Sequence, residues 1–314
     1  MIVVMIVAAA VSASAGRDVI QPILVSGNDE NSVKVRLGER LFRDTVISPD
    51  HGRSCSSCHD LDTNGTIPAT TSAHAEPDVL FNVPSIFNVG LNFKFGWRGD
   101  LPSLAEQTES ALTTSGTPGP QWHDIVDRLL GDETYVRDFK SAYGNKPNRT
   151  AALDALVLFQ LSLATPAPFD EFLSGNQGAI NEDAKAGFRL FRDYGCASCH
   201  QGANIGGNMF QRFGIFAPTV DPKTVTDKAD LGRFDVTQTA SDLGVYRVPS
   251  LRNVEVTAPY LHDGRSKTLP ETIVLMGRNQ LGHDLSSNDV SLIAAFLKTL
   301  TGKYHGRKLH APGP

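Results

Sequence analysis

The sequence predicts an all-α protein built as two similar domains related by internal duplication. Two observations predict it: the same short segments recur in the same order in both halves, and each half carries one Cys-x-x-Cys-His motif. Leu37 to Asp44 (LGERLFRD) and Ala186 to Asp193 (AGFRLFRD) agree at six of eight positions. Asn82 to Val89 (NVPSIFNV) and Arg247 to Val254 (RVPSLRNV) match at a constant offset of 165 residues, and the register continues through Gly99 and Gly264, Leu104 and Leu269, and Glu106 and Glu271. A fixed order of matched segments is the signature of a repeated structural unit.

Each half therefore reads as a helix, a motif turn, a long loop, a Val-Pro-Ser segment and a closing helix. In the second copy Ala184, Gly187, Phe188 and Phe191 fall on one helical face, with Asn181 placed to cap the start. The closing helices are expected over Thr150 to Leu163 and Asp289 to Leu300. The second of these has Ile293, Phe296, Leu297 and Leu300 on one face and Gly302 as its stop. No strong strand signal appears. The domain boundary falls between Thr165 and Gln177, which gives an N-terminal domain over 16–170, a C-terminal domain over 171–302 and a tail, 303–314, that packs back on the first.

The chain starts with an almost wholly apolar stretch, Met1 to Ala10, followed by the small-x-small cleavage signal Ala13-Ser14-Ala15. This reads as a signal peptide over 1–15 and an exported, periplasmic protein with no membrane span after processing, because the stretch is shorter than a spanning helix of about 20 residues. A net charge of -5 without any basic block argues against nucleic acid as a partner.

The two motifs, Cys55-Ser56-Ser57-Cys58-His59 and Cys196-Ala197-Ser198-Cys199-His200, use all 4 cysteines. Cys-x-x-Cys-His is the pattern of covalent c-type haem attachment: the thiols bond to the haem edge and the adjacent histidine becomes the proximal iron ligand. One zinc site would need the pairs close together, yet they lie in opposite halves, and a thioredoxin-like motif would not be followed by histidine both times. Two covalently bound c-type haems are the expected cofactors, held by Cys55, Cys58 and His59 and by Cys196, Cys199 and His200.

The sixth iron ligand separates an electron carrier from a reactive site, since methionine opposite histidine closes the iron and raises its potential. Beyond the signal peptide only Met209 and Met276 remain, both after the second motif. Met276 lies where a cytochrome domain brings its distal ligand across the haem, and subtracting 165 gives Ala111 in the first half. Met209, in a glycine-rich loop close to His200, is the weaker choice. In the first half His74 lies in a polar loop within reach of the haem. Spacing alone leaves it either a distal ligand or a solvated surface histidine.

These residues resemble the bacterial di-haem cytochrome c peroxidases and, more distantly, the related di-haem enzymes that mature methylamine dehydrogenase. The likeness runs from Gly38 to the Leu300-Thr301-Gly302-Lys303 ending. It is carried by the two widely spaced motifs, Val248 to Val254, Pro259-Tyr260-Leu261-His262-Asp263-Gly264 and Met276-Gly277. The resemblance implies a low-potential peroxidatic haem at His59 and a high-potential His200/Met276 haem that receives electrons. It further implies His74 as a displaceable distal ligand, Trp97 as the aromatic bridge between the haems, and Gln107 in the active site. One calcium at the domain interface would use Asn82 and the carbonyls of Thr257 and Pro259, with waters completing its six to eight ligands. Relatives of this kind are often homodimers.

One position departs from the family. Where its members place a glutamate ten residues after the glutamine matched by Gln107, this chain has Thr117. A positioned acid–base group contributes typically 10²- to 10⁴-fold to such proton transfers, and a threonine does not titrate near neutral pH. Glu109 or Asp124 from a rearranged loop, water held by Gln107, or a different task for the protein would each account for the change. The expected activity is reduction of hydrogen peroxide to water with electrons from a small cytochrome c or cupredoxin. The alternatives are peroxide-dependent oxidation of a partner protein and a non-catalytic di-haem electron carrier.

Overall fold

A computed structural model describes residues 19–24, 32–48, 51–67, 81–113, 122–219, 225 and 227–313. The expected signal peptide, His74 and Thr117 lie outside the described residues. The fold is mostly helical, with two short antiparallel ribbons, Phe210–Arg212 against Val245–Arg247 and Lys303–Tyr304 against Arg307–Lys308.

The helix Val33–Arg43 starts at Ser32, whose side chain accepts from the Val35 N–H, and leads to a single 3₁₀ turn at Cys55–Ser57. The helix Glu182–Asp193 starts at Asn181, whose side chain accepts from the Ala184 N–H, and leads to the matching turn Cys196–Ser198. Each N-cap satisfies an N–H that the first helical turn would leave unpaired. The closing helices form over Arg149–Ser162 and Ser287–Lys298, a residue or two from the expected bounds.

In both halves the closing helix crosses the motif helix at a glycine. A Cβ on Gly38 would lie 2.0 Å from the Ala155 carbonyl oxygen, and one on Gly187 would lie 1.9 Å from that of Leu292. Glycine at these two positions lets the backbones touch, which brings the closing helix within reach of the haem turn.

Asn88 and Asn253, in the two Val-Pro-Ser segments, both adopt the left-handed conformation with φ of 62°. Asparagine tolerates that region better than most residues. The Asn88 N–H donates to Leu163 O at 2.9 Å and the Asn253 N–H to Leu300 O at 3.1 Å, so each segment ties down the end of its own closing helix. Both side-chain amides then donate to one hydroxyl, the fully buried Thr165 Oγ1, at 2.8 and 3.0 Å.

Two hydrophobic cores result. The first gathers Leu41, Phe42, Phe139, Leu156 and Phe159, and the tail adds Tyr304 and Leu309 to it. The second centres on Phe169, which meets Phe188 and Phe296 edge to face at 4.9 Å each. The cores do not follow one cut in the sequence: Ile20 and Phe169 pack in the second, and Val256 packs in the first. The cause for Ile20 is polar. The segment 19–24 is bound by the Asp170 carboxylate, which accepts from Ile23 N–H at 2.7 Å, and by backbone pairing with Gly202. Among the described residues no helix is long and apolar enough to cross a membrane.

Candidate haem sites and their junction

Each motif turn closes by the same backbone bonds. The His59 N–H donates to Cys55 O at 2.9 Å and the His200 N–H to Cys196 O at 3.0 Å. This puts histidine directly beneath the pair of thiols. His59 Nδ1 lies 3.0 Å from Gly65 O and His200 Nδ1 lies 3.3 Å from Ile205 O. A carbonyl only accepts, so Nδ1 carries the proton in both rings and Nε2 keeps its lone pair for a metal. Burial lowers the pKa of both rings, that of His200 to about 4, and keeps them neutral as a ligand requires. None of the four cysteines is tied up in a disulfide, so each pair can take a haem edge.

A cavity of about 520 Å³ opens above His200 and runs to the junction of the two halves. Cys196, Cys199, His200 and Met276 line it together, as do Asn82, Trp97, Thr257 and Pro259. Met276 ends the helix Leu269–Met276, and the chain continues at once into a π-helical turn, Gly277–Leu281. Met209 donates nothing to this wall; its sulfur lies 3.9 Å from Gln201 Nε2.

Sequence reasoning assigns no role to Arg247, yet it bears on whether haem fits. Arg247 is 5 % exposed, lines the cavity, and among the described residues donates to neutral acceptors, Gly96 O at 3.1 Å and Asn92 Oδ1 at 3.0 Å. Burial lowers its pKa to about 10. The other deeply buried arginine, Arg252, has Asp170 as counter-ion at 2.7 Å. A buried guanidinium without an anion is costly, so the cavity suits an apolar ring that brings its own carboxylates, as haem does. His200 and Met276 would hold its iron.

Trp97 sits at the mouth of the junction and is gripped from both halves. Its Nε1–H donates to Asn82 O at 2.8 Å, and its carbonyl accepts from Arg247 N–H at 2.9 Å. The three calcium positions line the same cavity. Asn82 Nδ2 donates to Pro259 O at 2.7 Å, so the amide closes on the carbonyl directly, and a cation there requires the amide to turn its oxygen inward. Asp230, His262 and Asp263 also cluster within 4.8 Å, but Arg265 donates to both carboxylates and already supplies the positive charge.

Gln107 stands half-buried in the first turn of the helix Leu104–Thr113. Glu109, a candidate to replace the missing glutamate, is tied elsewhere: its Oε1 accepts from Trp122 Nε1 at 2.7 Å and from the Arg149 guanidinium. The hydrogen bonds from Arg149 hold its carboxyl below the usual range, so it stays ionised and anchored. Asp124 is about half exposed and faces His123 at 3.0 Å.

The family model of the di-haem cytochrome c peroxidases matches residues 32–178. Across nearly the whole chain, the cytochrome c551 peroxidase of Nitrosomonas europaea is 36% identical, covering 94% of this chain and 87% of that protein. The chain belongs to the di-haem cytochrome c peroxidase family. The cytochrome c551 peroxidase of Pseudomonas aeruginosa is also 36% identical, over 85% of this chain and 78% of its own. Among solved structures, a MauG-like protein associated with microbial copper homeostasis superposes with a TM-score of 0.77 at 25% identity, covering 94% of this chain and 96% of that one. Family membership implies two c-type haems, in agreement with the two Cys-x-x-Cys-His turns.

Proposed function

We propose that this protein is a periplasmic di-haem peroxidase, formed by duplication of a one-haem unit, that reduces hydrogen peroxide to water with electrons from a small cytochrome c or cupredoxin. The observation that carries the reading is an asymmetry: Met276 shares a cavity wall with His200, whereas the matching position in the first half is Ala111. The chain's 36% identity to a cytochrome c551 peroxidase supports peroxide as the substrate.

When bound, haem supplies the iron that takes peroxide at one site and accepts donor electrons at the other. The protein's residues prepare those two roles differently. His59, with its proton on Nδ1 and Nε2 free, would hold the iron of the first haem, and His74 would be its displaceable second ligand. Met276 closes the His200 site and favours electron entry there. Trp97 spans the junction between them. Calcium held by the Asn82 oxygen and the Thr257 and Pro259 carbonyls would replace the direct Asn82–Pro259 hydrogen bond and stiffen the same junction.

Each peroxide consumed takes up two electrons and two protons. With Glu109 bound to Arg149 and Trp122, the proton route that fits best is water held near Gln107. The similarity to a MauG-like structure favours one rival, oxidation of residues on a partner protein. In the methylamine-dehydrogenase-maturing enzymes a tyrosine stands where this chain has Met276, which weighs against it.

The test is peroxide consumption by the purified holoprotein, fully oxidised and then half-reduced, with the haem spectrum recorded alongside. Turnover together with a high-spin first haem supports the peroxidase. An open first haem without turnover favours a protein substrate, and two closed haems in every redox state would leave only an electron carrier.

A further inference from the structure

The junction holds a second aromatic residue in a position matched to Trp97. At the offset of 165, Trp97 corresponds to His262, and the loops that carry them are built alike. Phe95 N–H donates to Leu101 O at 3.0 Å and Tyr260 N–H to Ser266 O at 2.8 Å. Gly96 and Leu261 share positive φ values of 74° and 71°, and Gly99 and Gly264 of 60° and 69°. Each loop is also pinned by one guanidinium between two carboxylates: Arg98 between Asp100 and Asp235, Arg265 between Asp263 and Asp230.

The two matched side chains meet. The rings of Trp97 and His262 lie 6.3 Å apart at 71°, edge to face, and both line the cavity. They are joined through Asn82, whose N–H donates to His262 O at 2.7 Å and whose carbonyl accepts from the indole at 2.8 Å. The imidazole itself is fixed on its other sides. It is 3 % exposed, stacks on Tyr246 at 4.4 Å and 21°, and presents Nε2 to Asp230 Oδ1 at 2.9 Å.

We propose that His262, held by Asp230, is a positioning residue for Trp97: it fixes the indole edge-on at the junction and sets the charge beside it. Asp230 and Asp263 share Arg265 on the His262 side of the indole, and a second guanidinium, Arg247, binds Gly96 O beside Trp97, so these four charges balance. Removing the Asp230 charge tips that balance toward positive, which opposes loss of an electron from the ring. The function of this clasp rests on the reading that Trp97 lies on the route between the haems.

Two substitutions in the holoprotein test it. Asp230→Asn keeps an oxygen for His262 and Arg265 but removes the charge, and His262→Phe keeps the ring but removes its polar anchor. Each is expected to slow electron equilibration between the two haems of half-reduced protein about tenfold, a change of about 1.4 kcal/mol in the barrier. Each also shifts the indole bands in ultraviolet resonance Raman difference spectra, where the untouched Trp122 cancels. Haem absorption spectra stay as in the wild type. A wild-type equilibration rate in Asp230→Asn overturns the proposal. Trp97→Phe is the control: if it leaves the rate unchanged, the route reading fails, and the indole band shifts alone then decide whether His262 positions Trp97.

Discussion

The two haem turns share their backbone and differ in what buttresses them. Beneath His59, the loop is held from inside by side chains: Asn64 Nδ2 donates to Val256 O at 2.6 Å, Thr66 Oγ1 to Val83 O at 2.6 Å, and Ser85 Oγ to Asn64 O at 2.6 Å. Beneath His200, Ser250 Oγ likewise donates to Asn204 O at 2.9 Å, and a clamp from outside is added. Gly202 N–H donates to Val19 O at 2.7 Å, and Arg252 binds Ala203 O at 2.9 Å while paired with Asp170. The position of Arg252 is taken by Phe87 in the first half, which packs on Tyr304 of the tail at 5.2 Å.

If the two halves are copies of one unit, as proposed, the difference shows how such a unit can be turned to two purposes. His59 lies nearer its carbonyl partner, 3.0 Å against 3.3 Å, while His200 also bonds a second carbonyl, that of Pro249. The second half adds a methionine in the wall of the cavity and an ion-paired strap, and under the proposed reading Met276 closes that site.

The largest effect is expected from breaking the strap. Arg252→Met leaves Asp170 buried without its cation, and loss of one partner of a buried pair costs about 3–5 kcal/mol. Chemical denaturation of the holoprotein reads this directly. The double variant Arg252→Met/Asp170→Asn removes the charge but keeps an oxygen for the buried Ile23 and Ala167 N–H groups, and should recover part of the loss, whereas no such rescue pair exists at Phe87.

The helix crossings sharpen the comparison next. Gly38→Ala and Gly187→Ala each place a methyl group on a facing carbonyl, and overpacking of this kind costs about 1–3 kcal/mol. Near-equal losses are expected if the halves are copies of one unit. A loss at only one site would separate them.

Met276→Ala should remove the sulfur–iron absorption band of the second haem and lower its potential by about 100 mV, a fraction of the roughly 0.8 V range that axial ligands span. Potentiometric titration should show the first haem unmoved. If both haems shift together, the two sites are not independent in their ligation.

The smallest effect concerns Glu109. Its carboxyl is held below the usual range by Arg149, so the pair adds stability above the unfolded carboxylate pKa, and this is lost as pH falls through the lower folded value. Arg149 is 53% exposed, which keeps the pair weak. Glu109→Gln should flatten the acid limb of the stability profile and leave peroxide turnover near the wild-type rate. A large fall in turnover would return Glu109 to the proton route.

Much of this was legible in the chain itself. The helix cap at Asn181, the closing helices and the two motif turns depend on near neighbours or on repeated segments, so the local pattern carries them, whereas the cap at Ser32 and the glycine crossings emerged only from the structure. Arg247 left no such mark, because a strand arginine looks the same whether it ends in solvent or against a cavity. Glu109 was an open candidate until Arg149, forty positions away, was placed on it. His262 could have been found: the offset that pairs Gly99 with Gly264 also pairs Trp97 with His262.

By itself, the sequence determined that two thiol–thiol–histidine turns would each be fed by a helix, and that the second half has Met276 where the first has Ala111. These follow from local geometry and from residue identity. The tertiary structure alone decided which buried charges have partners, that residues 19–24 strap the second half, and that Trp97 and His262 meet. Those facts depend on contacts between segments far apart in the chain, and burial, charge pairing and ring geometry at such contacts exist only once the two halves have packed.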